Sequence, residues 1–408
     1  MKKAHLKRLT ILLFVLPVLL LSSCAERLPE WDDIAASTYE RKVVGNTTAP
    51  VICWGNFVIS EIGTGAVYDR TTGDMVLGVC DDPECDLTCP LHWGGVELAQ
   101  ASDGKVYFIF KQLKEKTYYY CYKELVSGRV QVMFDVSFDD ATPNKTLFVI
   151  DGQCYYTRKY LKEEGNPDDP EDYVSYVCRI PEAGGANEIL YEMRDNSETL
   201  YLIADGMMIT SYQGIVYRID IDTEKVTPFL DLEAEGIPSF GQPQYLDGKV
   251  YFSTNSKDWM TTTPKGSPIQ QSRIAMADVI TGEWKYLIDH PVVTYHITND
   301  AIYFSPVEIQ MMSDPTKYQK TDVDASFLLA SSTLYACDLD GGNIRKVWTE
   351  ETHQIDFIEN YTVVDGVLYG WLFNFNQKTN EWGERYFAEI HFDTNEIIPA
   401  ASVVDRRK

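Results

Sequence analysis

Basic residues, histidine and long apolar runs are all scarce in this chain of 408 residues. Only 36 Lys and Arg stand against 61 Asp and Glu, and the resulting net charge of −25 disfavours nucleic-acid binding because it repels phosphate backbones. The 6 histidines are dispersed along the chain, which disfavours a histidine base for catalysis. Beyond residue 23 no apolar run approaches the length of a membrane span.

Helical periodicity and enzyme motifs are missing as well. No stretch of useful length repeats apolar residues with the period of a helix. The chain has no nucleophile elbow, zinc-protease helix motif, phosphate loop or dinucleotide loop. Tyrosine, in contrast, is abundant with 26 residues, and aromatic and β-branched residues favour strands. The sequence therefore predicts an all-β protein that is not an enzyme, with no catalytic residues and no cofactor.

The first 23 residues have the order of an export signal. Four basic residues precede an apolar run from Ile11 to Leu21 that is too short to span a bilayer. The run ends in Leu-Ser-Ser-Cys, which resembles the lipobox of bacterial lipoprotein precursors. The resemblance implies cleavage before Cys24 and diacylation of its thiol, and two acyl chains anchor a protein stably. An ordinary signal peptide with a chance cysteine is the alternative.

A repeated unit fills the chain from about residue 50 onward. Its first half is a strand, an Asp-Gly turn and a Tyr-rich strand, as in the sequence from Ile150 to Tyr156. Asp-Gly between apolar residues is a strong hairpin signal because both turn residues must adopt positive φ. The second half is a strand, a small turn such as Thr281-Gly282-Glu283, and a final strand. Seven units of about 50 residues predict a β-propeller of seven four-stranded antiparallel blades, with six or eight blades as alternatives.

Two segments of the repeat resemble known propellers. The sequence from Leu334 to Asn343 is similar to the outer hairpin of low-density-lipoprotein-receptor-related and TolB-type propellers. The recurring pattern Asp-Gly-x-Val-Tyr-Phe resembles that of bacterial propeller lipoproteins of unknown function. The resemblance spans residues 50–402 and implies a fold but no ligand. The Tyr-Trp-Thr-Asp tetrad of the receptor propellers is absent, so their ligand chemistry is not expected here.

These features divide the chain into three parts. We expect a lipoprotein signal peptide at 1–23, a lipidated Cys24 with a tether at 24–48, and the β-propeller at 49–404. The tether contains one candidate strand at Glu40–Val44. The predicted location is the cell envelope, outside the cytoplasm, with the membrane as a partner through the lipid.

Cys80, Cys85, Cys89 and His92 form the densest group of chemically reactive side chains. The propeller lipoproteins that the repeat resembles carry a related motif, but Leu87 stands here where their histidine would fall. A disulfide is favoured because the predicted compartment permits oxidation. A tetrahedral zinc site and free thiols are the alternatives, and no metal is assigned. The remaining cysteines fall within predicted strands and are expected to be buried.

Four long insertions connect the second and third strands of units three, five, six and seven. They span 162–172, 256–271, 308–331 and 376–385, whereas unit four is linked tightly through Gln213-Gly214. Long loops in compact domains are uncommon and are often functional. Aromatic and methionine side chains on these insertions predict a binding face on one rim: Trp259, Met311, Met312, Tyr318 and Trp382.

The sequence as a whole favours a lipid-anchored, non-enzymatic binding module. Its ligand would be an unidentified protein, peptide or glycan, and nucleic acid is excluded as a partner. A TolB-like scaffold for envelope assembly is the first alternative. A hydrolase or lyase built on loops is the second, and the oligomeric state is left undefined.

Replacing Cys24 by Ser is expected to move the protein from the membrane fraction to the soluble fraction, because serine lacks the thiol that carries the lipid. Cell fractionation with and without detergent measures the change. Cys121→Ser, in a predicted strand, is the matched control and should stay with the membrane. Detergent-dependent membrane association that persists after Cys24→Ser would contradict the predicted anchor.

Overall fold

The computed structural model describes residues 44–45, 52–54, 56–60, 66–77, 94–102, 104–142, 145–162, 165–166, 169, 172–195, 197–262, 268–288, 292–306, 333–349, 357–373, 375–376 and 381–405. These residues all belong to one compact unit, which spans Tyr39–Lys408. Within these ranges the regular structure is β-strand. A search of the same residues finds no helix long and apolar enough to cross a membrane.

Seven four-stranded antiparallel blades form a ring, which confirms the predicted seven-bladed β-propeller. Strand β1 (Val44–Gly45) precedes the first blade. The strands of blades 1 to 3 are β2 (Ile52–Trp54), β3 (Phe57–Ser60), β4 (Ala66–Asp69), β5 (Asp74–Leu77); β6 (Gly94–Ser102), β7 (Lys105–Gln112), β8 (Thr117–Glu124), β9 (Val130–Ser137); and β10 (Leu147–Ile150), β11 (Gln153–Leu161), β12 (Tyr173–Pro181), β13 (Glu188–Glu192).

The remaining blades follow in the same order. The strands of blades 4 to 6 are β14 (Thr199–Ala204), β15 (Met207–Tyr212), β16 (Ile215–Asp220), β17 (Val226–Asp231); β18 (Gly241–Leu246), β19 (Lys249–Thr262), β20 (Pro268–Asp278), β21 (Trp284–Tyr286); and β22 (Val292–Ile297), β23 (Ala301–Pro306), β24 (Thr333–Asp338), β25 (Arg345–Thr349). Blade 7 contains β26 (Phe357–Val364), β27 (Val367–Phe373), β30 (Tyr386–His391) and β31 (Glu396–Pro399), with a small hairpin of β28 (Phe375–Asn376) and β29 (Glu381–Trp382) inserted. Strand β32 (Ser402–Asp405) ends the series.

The Asp-Gly turns have the backbone that the sequence predicts. Asp151 and Gly152 adopt φ values of 50° and 69°, and the turns at 205–206, 247–248 and 365–366 do the same. Two successive positive φ values give the tight turn whose twist matches that of the flanking strands. Gln213 and Gly214, at 49° and 79°, link the second and third strands of blade 4 equally tightly. The turns therefore join the strands of each blade in the order that the sequence predicts.

All four long insertions lie between the second and third strands of their blades, as the sequence indicates. The blade 5 insertion nevertheless differs from the expected loop. Strands β19 and β20 continue through it, with Thr262 paired to Pro268. Continued pairing satisfies backbone N–H and C=O groups that an irregular loop would leave to solvent. The blade 7 insertion likewise forms the β28–β29 hairpin.

The first strands of neighbouring blades lie against one another and form the inner wall of the ring. Contacts join β2 to β6, β6 to β10, β14 to β18 and β26 to β2. Apolar side chains pack between successive sheets, as where buried Val216, Val250 and Phe252 meet in one cluster across blades 4 and 5. The fourth strands lie outermost, and there Val132 and Ile189 are exposed.

Glycine turns between third and fourth strands contact the backbone of the preceding blade. A Cβ on Gly282 would lie 2.4 Å from the carbonyl oxygen of Phe229, and one on Gly341 would lie 2.4 Å from that of Leu287. Both glycines also have positive φ, 75° and 88°. Phe229 lies on β17 and Leu287 directly follows β21, the fourth strands of blades 4 and 5. No side chain fits at these two turns, so the blades meet backbone against backbone.

The same type of turn closes the ring between blades 7 and 1. Ala401, just beyond β31, donates its N–H to the carbonyl oxygen of Gly73 at 2.7 Å. The chain then continues as β32, which pairs in parallel with β5. This pairing adds β32 as a fifth strand to the sheet of blade 1. The last segment of the chain thus covers the outer edge of the first blade.

Side chains reinforce this closing seam. The Tyr68 hydroxyl donates a hydrogen bond of 2.7 Å to Oε1 of Glu389. Nε2 of His391 lies 2.9 Å from the other carboxylate oxygen, Oε2. Burial, together with the bond to Glu389, raises the pKa of Tyr68 above its ordinary value, so the hydroxyl remains a donor. Arg70 adds a hydrogen bond of 3.0 Å to the hydroxyl of Tyr369.

Gly282→Ala and Gly341→Ala are each expected to lower the free energy of unfolding by about 3 kcal/mol. A left-handed backbone costs a non-glycine residue about 1–2 kcal/mol, and forcing atoms into a packed contact adds about 1–3 kcal/mol. Gly128→Ala is the matched control, because Gly128 has φ 72° with no atom within 4 Å of the added Cβ. Denaturant titration measures all three. Equal losses of unfolding free energy at the three positions would contradict the role of the close backbone contacts at Gly282 and Gly341.

Candidate functional site

Strand β1 lies on the inner edge of blade 5. Val44 pairs with Tyr245 and Gly45 with Gln244 in antiparallel register. Strand β18 bonds β19 along its other edge, so β1 occupies the edge directed at the axis of the ring, and it also contacts β14 of blade 4. Among the first strands that the structure describes, β22 of blade 6 also has a partner on this edge, through the single pair of Ser272 on β20 with Val292. The inner wall thus holds a short extended backbone that the chain itself supplies.

A β-bulge precedes the residues of β18 that pair with β1. The register between β18 and β19 shifts between Gly241 and Gln244, and Gln242 adopts φ 47°. Bulges strengthen local twist and redirect the backbone, and they are frequent beside functional sites. Similar shifts occur in the first strands of four other blades: β6, β14, β22 and β26. The bulge is therefore a repeated property of the inner wall.

Two tyrosines fix β18 to both neighbouring blades. The Tyr245 hydroxyl donates a hydrogen bond of 2.5 Å to Asp205 in the first turn of blade 4. The Tyr295 hydroxyl, from blade 6, donates one of 2.7 Å to the carbonyl oxygen of Gln242 at the bulge. Burial raises the pKa of both tyrosines above the ordinary value, so both hydroxyls stay protonated. The edge that β1 occupies is consequently held in a fixed position.

A buried ion pair fixes the start of β14, the other strand that β1 contacts. Glu198 is fully buried and accepts hydrogen bonds from the Tyr191 hydroxyl at 3.1 Å, the Arg194 backbone N–H at 2.8 Å and the Thr210 hydroxyl at 2.8 Å. Nη1 of Arg194 lies 2.8 Å from Oε1 of Glu198, and the guanidinium stacks 3.9 Å from the centre of the Tyr217 ring. A buried carboxylate is tolerated only with such complete pairing.

Five cysteines, the first of them Cys53, are predicted from sequence to be buried apolar residues within strands. Four of them are buried with free thiols, which confirms the prediction for those four: Cys121, Cys154, Cys178 and Cys337. The side chain of Cys53, in β2, lies outside the described residues. Burial raises the pKa of Cys121 to about 12 and that of Cys337 to about 11. Such thiols remain protonated at neutral pH and are poor nucleophiles. Among the described residues, no group of three or more His, Cys, Asp and Glu is arranged to hold a metal ion.

An open groove of about 720 Å³ lies at the outer end of blade 5. Three of its polar side chains make hydrogen bonds within the protein. The indole N–H of Trp284 donates to Glu235 at 2.9 Å, and Nζ of Lys285 donates to the carbonyl oxygen of Asp340 at 2.9 Å. Asp278 accepts two backbone N–H groups of its own turn, which lower its pKa. These interactions hold the turn of blade 5 and tie it to the turn of blade 6.

Of the site residues predicted from sequence, two lie in strands that the structure describes. Trp259 lies in β19 and Trp382 in β29, each within a long insertion. The others lie outside the described residues: Cys24, Cys80, Cys85, Cys89, His92, Met311, Met312 and Tyr318. The lipid anchor, the cysteine cluster and the binding face therefore stay predictions. Sequence reasoning indicated a strand near β1 but no local pattern identified β18 as its partner.

No described protein family and no curated protein matches the sequence. Solved structures do match in fold. One chain from a structural and mechanistic analysis of two prolyl endopeptidases is similar at 11% identity and a TM-score of 0.51, with 91% of this chain and 52% of that chain covered. Acylaminoacyl peptidase in complex with Z-Gly-Gly-Phe-chloromethyl ketone matches at 11% identity and a TM-score of 0.47, covering 85% of this chain and 51% of its own. TolB from Acinetobacter baumannii matches at 12% identity and a TM-score of 0.31, covering 75% of this chain and 67% of its own.

These matches correct the function predicted from sequence. The predicted non-enzymatic binding module is contradicted, because the propeller that matches 91% of this chain at a TM-score of 0.51 belongs to a prolyl endopeptidase. The chain spans about half the length of those peptidases, and their hydrolase portion is largely unmatched. The similarity to TolB-type and other propellers concerns the fold alone. Neither the lipid anchor nor the receptor-like resemblance gains support from the comparisons.

Glu198→Gln is expected to lower the free energy of unfolding by about 2–4 kcal/mol, because breaking a buried pair costs about 3–5 kcal/mol and the partial exposure of Arg194 reduces that figure. Glu188→Gln is the matched control. Glu188 pairs with Arg179 at 2.6 Å on the exposed fourth strand of blade 3, where loss of an ion pair costs about 0–1 kcal/mol. Denaturant titration distinguishes the two, and equal effects would contradict the structural role of Glu198.

Proposed function

We propose that this chain is the substrate-admitting propeller of a peptide-hydrolysing system whose catalytic residues lie outside the propeller. The observation that carries the proposal is the pairing of β1 with the inner edge of β18. Addition of an extended peptide to a strand edge is a general mode of recognition, in which main-chain hydrogen bonds supply the affinity. An inner wall that holds one extended backbone is suited to others.

The rigid ring supports a selection of substrates by their conformation, in which extended peptides are preferred to folded chains. The glycine turns and the closing seam join the blades through close backbone contacts, so the inner edges keep fixed positions. A short extended peptide presents free N–H and C=O groups to such an edge, whereas a folded protein has already paired most of its own. The propeller would thus admit extended peptides and exclude folded chains.

Charge fits the same role. The net charge of −25 raises the local concentration of cationic peptides. In the two prolyl endopeptidases, inter-domain dynamics have a role in catalysis and specificity. We propose a division of labour in which the propeller governs access and a hydrolase cleaves the peptide.

The test isolates the tagged full-length chain from its own cells under native conditions and assays the eluate for peptide hydrolysis. We expect a fluorogenic peptide to be cleaved at least about tenfold faster than the same sequence placed within a folded protein, a difference of about 1.4 kcal/mol in barrier. The Glu188→Gln variant, altered only at an exposed ion pair, controls for the handling of a variant protein. An eluate without peptidase activity, or with equal rates on both substrates, would overturn the proposal.

A further inference from the structure

We infer that the edge of β18 at Gln244 and Tyr245 is a binding site for an extended peptide backbone and that Val44–Gly45 is its resident blocking strand. The inference rests on the proposed function for the nature of the incoming peptide. The site itself rests on the register of β1 and β18 and on the groups that hold β18 in place.

The resident strand is short enough to be displaced. Strand β1 covers two residues, whereas β18 runs from Gly241 to Leu246. A backbone hydrogen bond contributes only about 0.5–1.5 kcal/mol net, so a ladder of two residues is weak. It persists because β1 belongs to the same chain and has a high effective concentration at the edge. An incoming peptide that pairs along more of β18 can therefore compete with it.

The wall remains in place when the strand leaves. Tyr245 is bonded to Asp205 in blade 4, and Tyr295 of blade 6 is bonded to the carbonyl oxygen of Gln242. Neither bond involves β1. Strand β14, which β1 also contacts, is fixed by the buried Glu198 network. A preformed edge loses little entropy when a new backbone binds, so displacement exchanges one occupant for another without rebuilding the site.

The experiment compares two double variants. The proline protein carries Val44→Pro together with Gly45→Pro, and the alanine protein carries Val44→Ala together with Gly45→Ala. Proline removes the backbone N–H groups that a ladder needs, whereas alanine keeps them. Hydrogen exchange is followed in the segment 241–246. We expect it to be about tenfold faster or more in the proline protein, since an unpaired edge amide loses its protection. The alanine protein should resemble the wild type.

A synthetic peptide with the sequence of residues 40–48 serves as the probe. It should restore protection to 241–246 in the proline protein and bind it about tenfold more tightly than the alanine protein, because no internal strand competes. The same peptide with prolines at the two central positions should not bind. In the wild type, excess probe should accelerate exchange at 44–45, a readout that requires no variant.

The outcomes separate this inference from the proposed function. Unchanged hydrogen exchange at 241–246 in the proline protein, or equal probe affinity in both proteins, would overturn the inference that Val44–Gly45 is a resident strand. Unchanged exchange at 44–45 when probe saturates the wild type would overturn it as well. If the probe displaces β1 but the native eluate cleaves no peptide, the resident strand is supported and the proposed function fails.

Discussion

Close contact between backbones of successive blades is the constraint on which the ring depends. At Gly282 and Gly341 a turn approaches the preceding fourth strand so closely that no Cβ fits. The same type of turn at Gly73 meets Ala401 where the last blade meets the first. The sheets depend on one another as well, because their apolar side chains are buried between adjacent blades. These contacts fix the spacing of the blades and, with it, the position of the inner wall.

The inner wall combines fixed strands with open edges. Five of its seven first strands carry bulges, and β18 is held from both sides by buried tyrosine hydroxyls. Extended chain is the natural ligand of such an edge, because strand pairing reads the backbone rather than particular side chains. In blade 5, the close backbone contact at Gly282 and the proposed peptide-binding edge of β18 therefore belong to different strands of one sheet.

Local chemistry explains how much could be predicted from sequence. Asp151 and Gly152 form the expected turn because few residues other than Asn, Asp and Gly tolerate its two positive φ values, and repetition of that signal specifies the number of blades. The site was not predictable in the same way. Val44 and Tyr245 are distant in sequence, and strand pairing between distant segments leaves no local signature. The extended β19–β20 hairpin was missed because polar β-branched stretches suit loops and exposed strands equally.

Contiguous blades and a late closing seam impose an order on folding. Hairpins within a blade join residues near in sequence and form within microseconds, whereas Tyr68 and Glu389 are separated by 321 positions and Asp74 and Ser402 by 328. Closing a loop of that length costs about 5 kcal/mol plus a constant. During synthesis the first blade is complete long before β32 exists, so its outer edge stays unpaired until β32 is made. Emergence of β32 therefore both completes the ring and removes the edge that would otherwise recruit a second nascent chain.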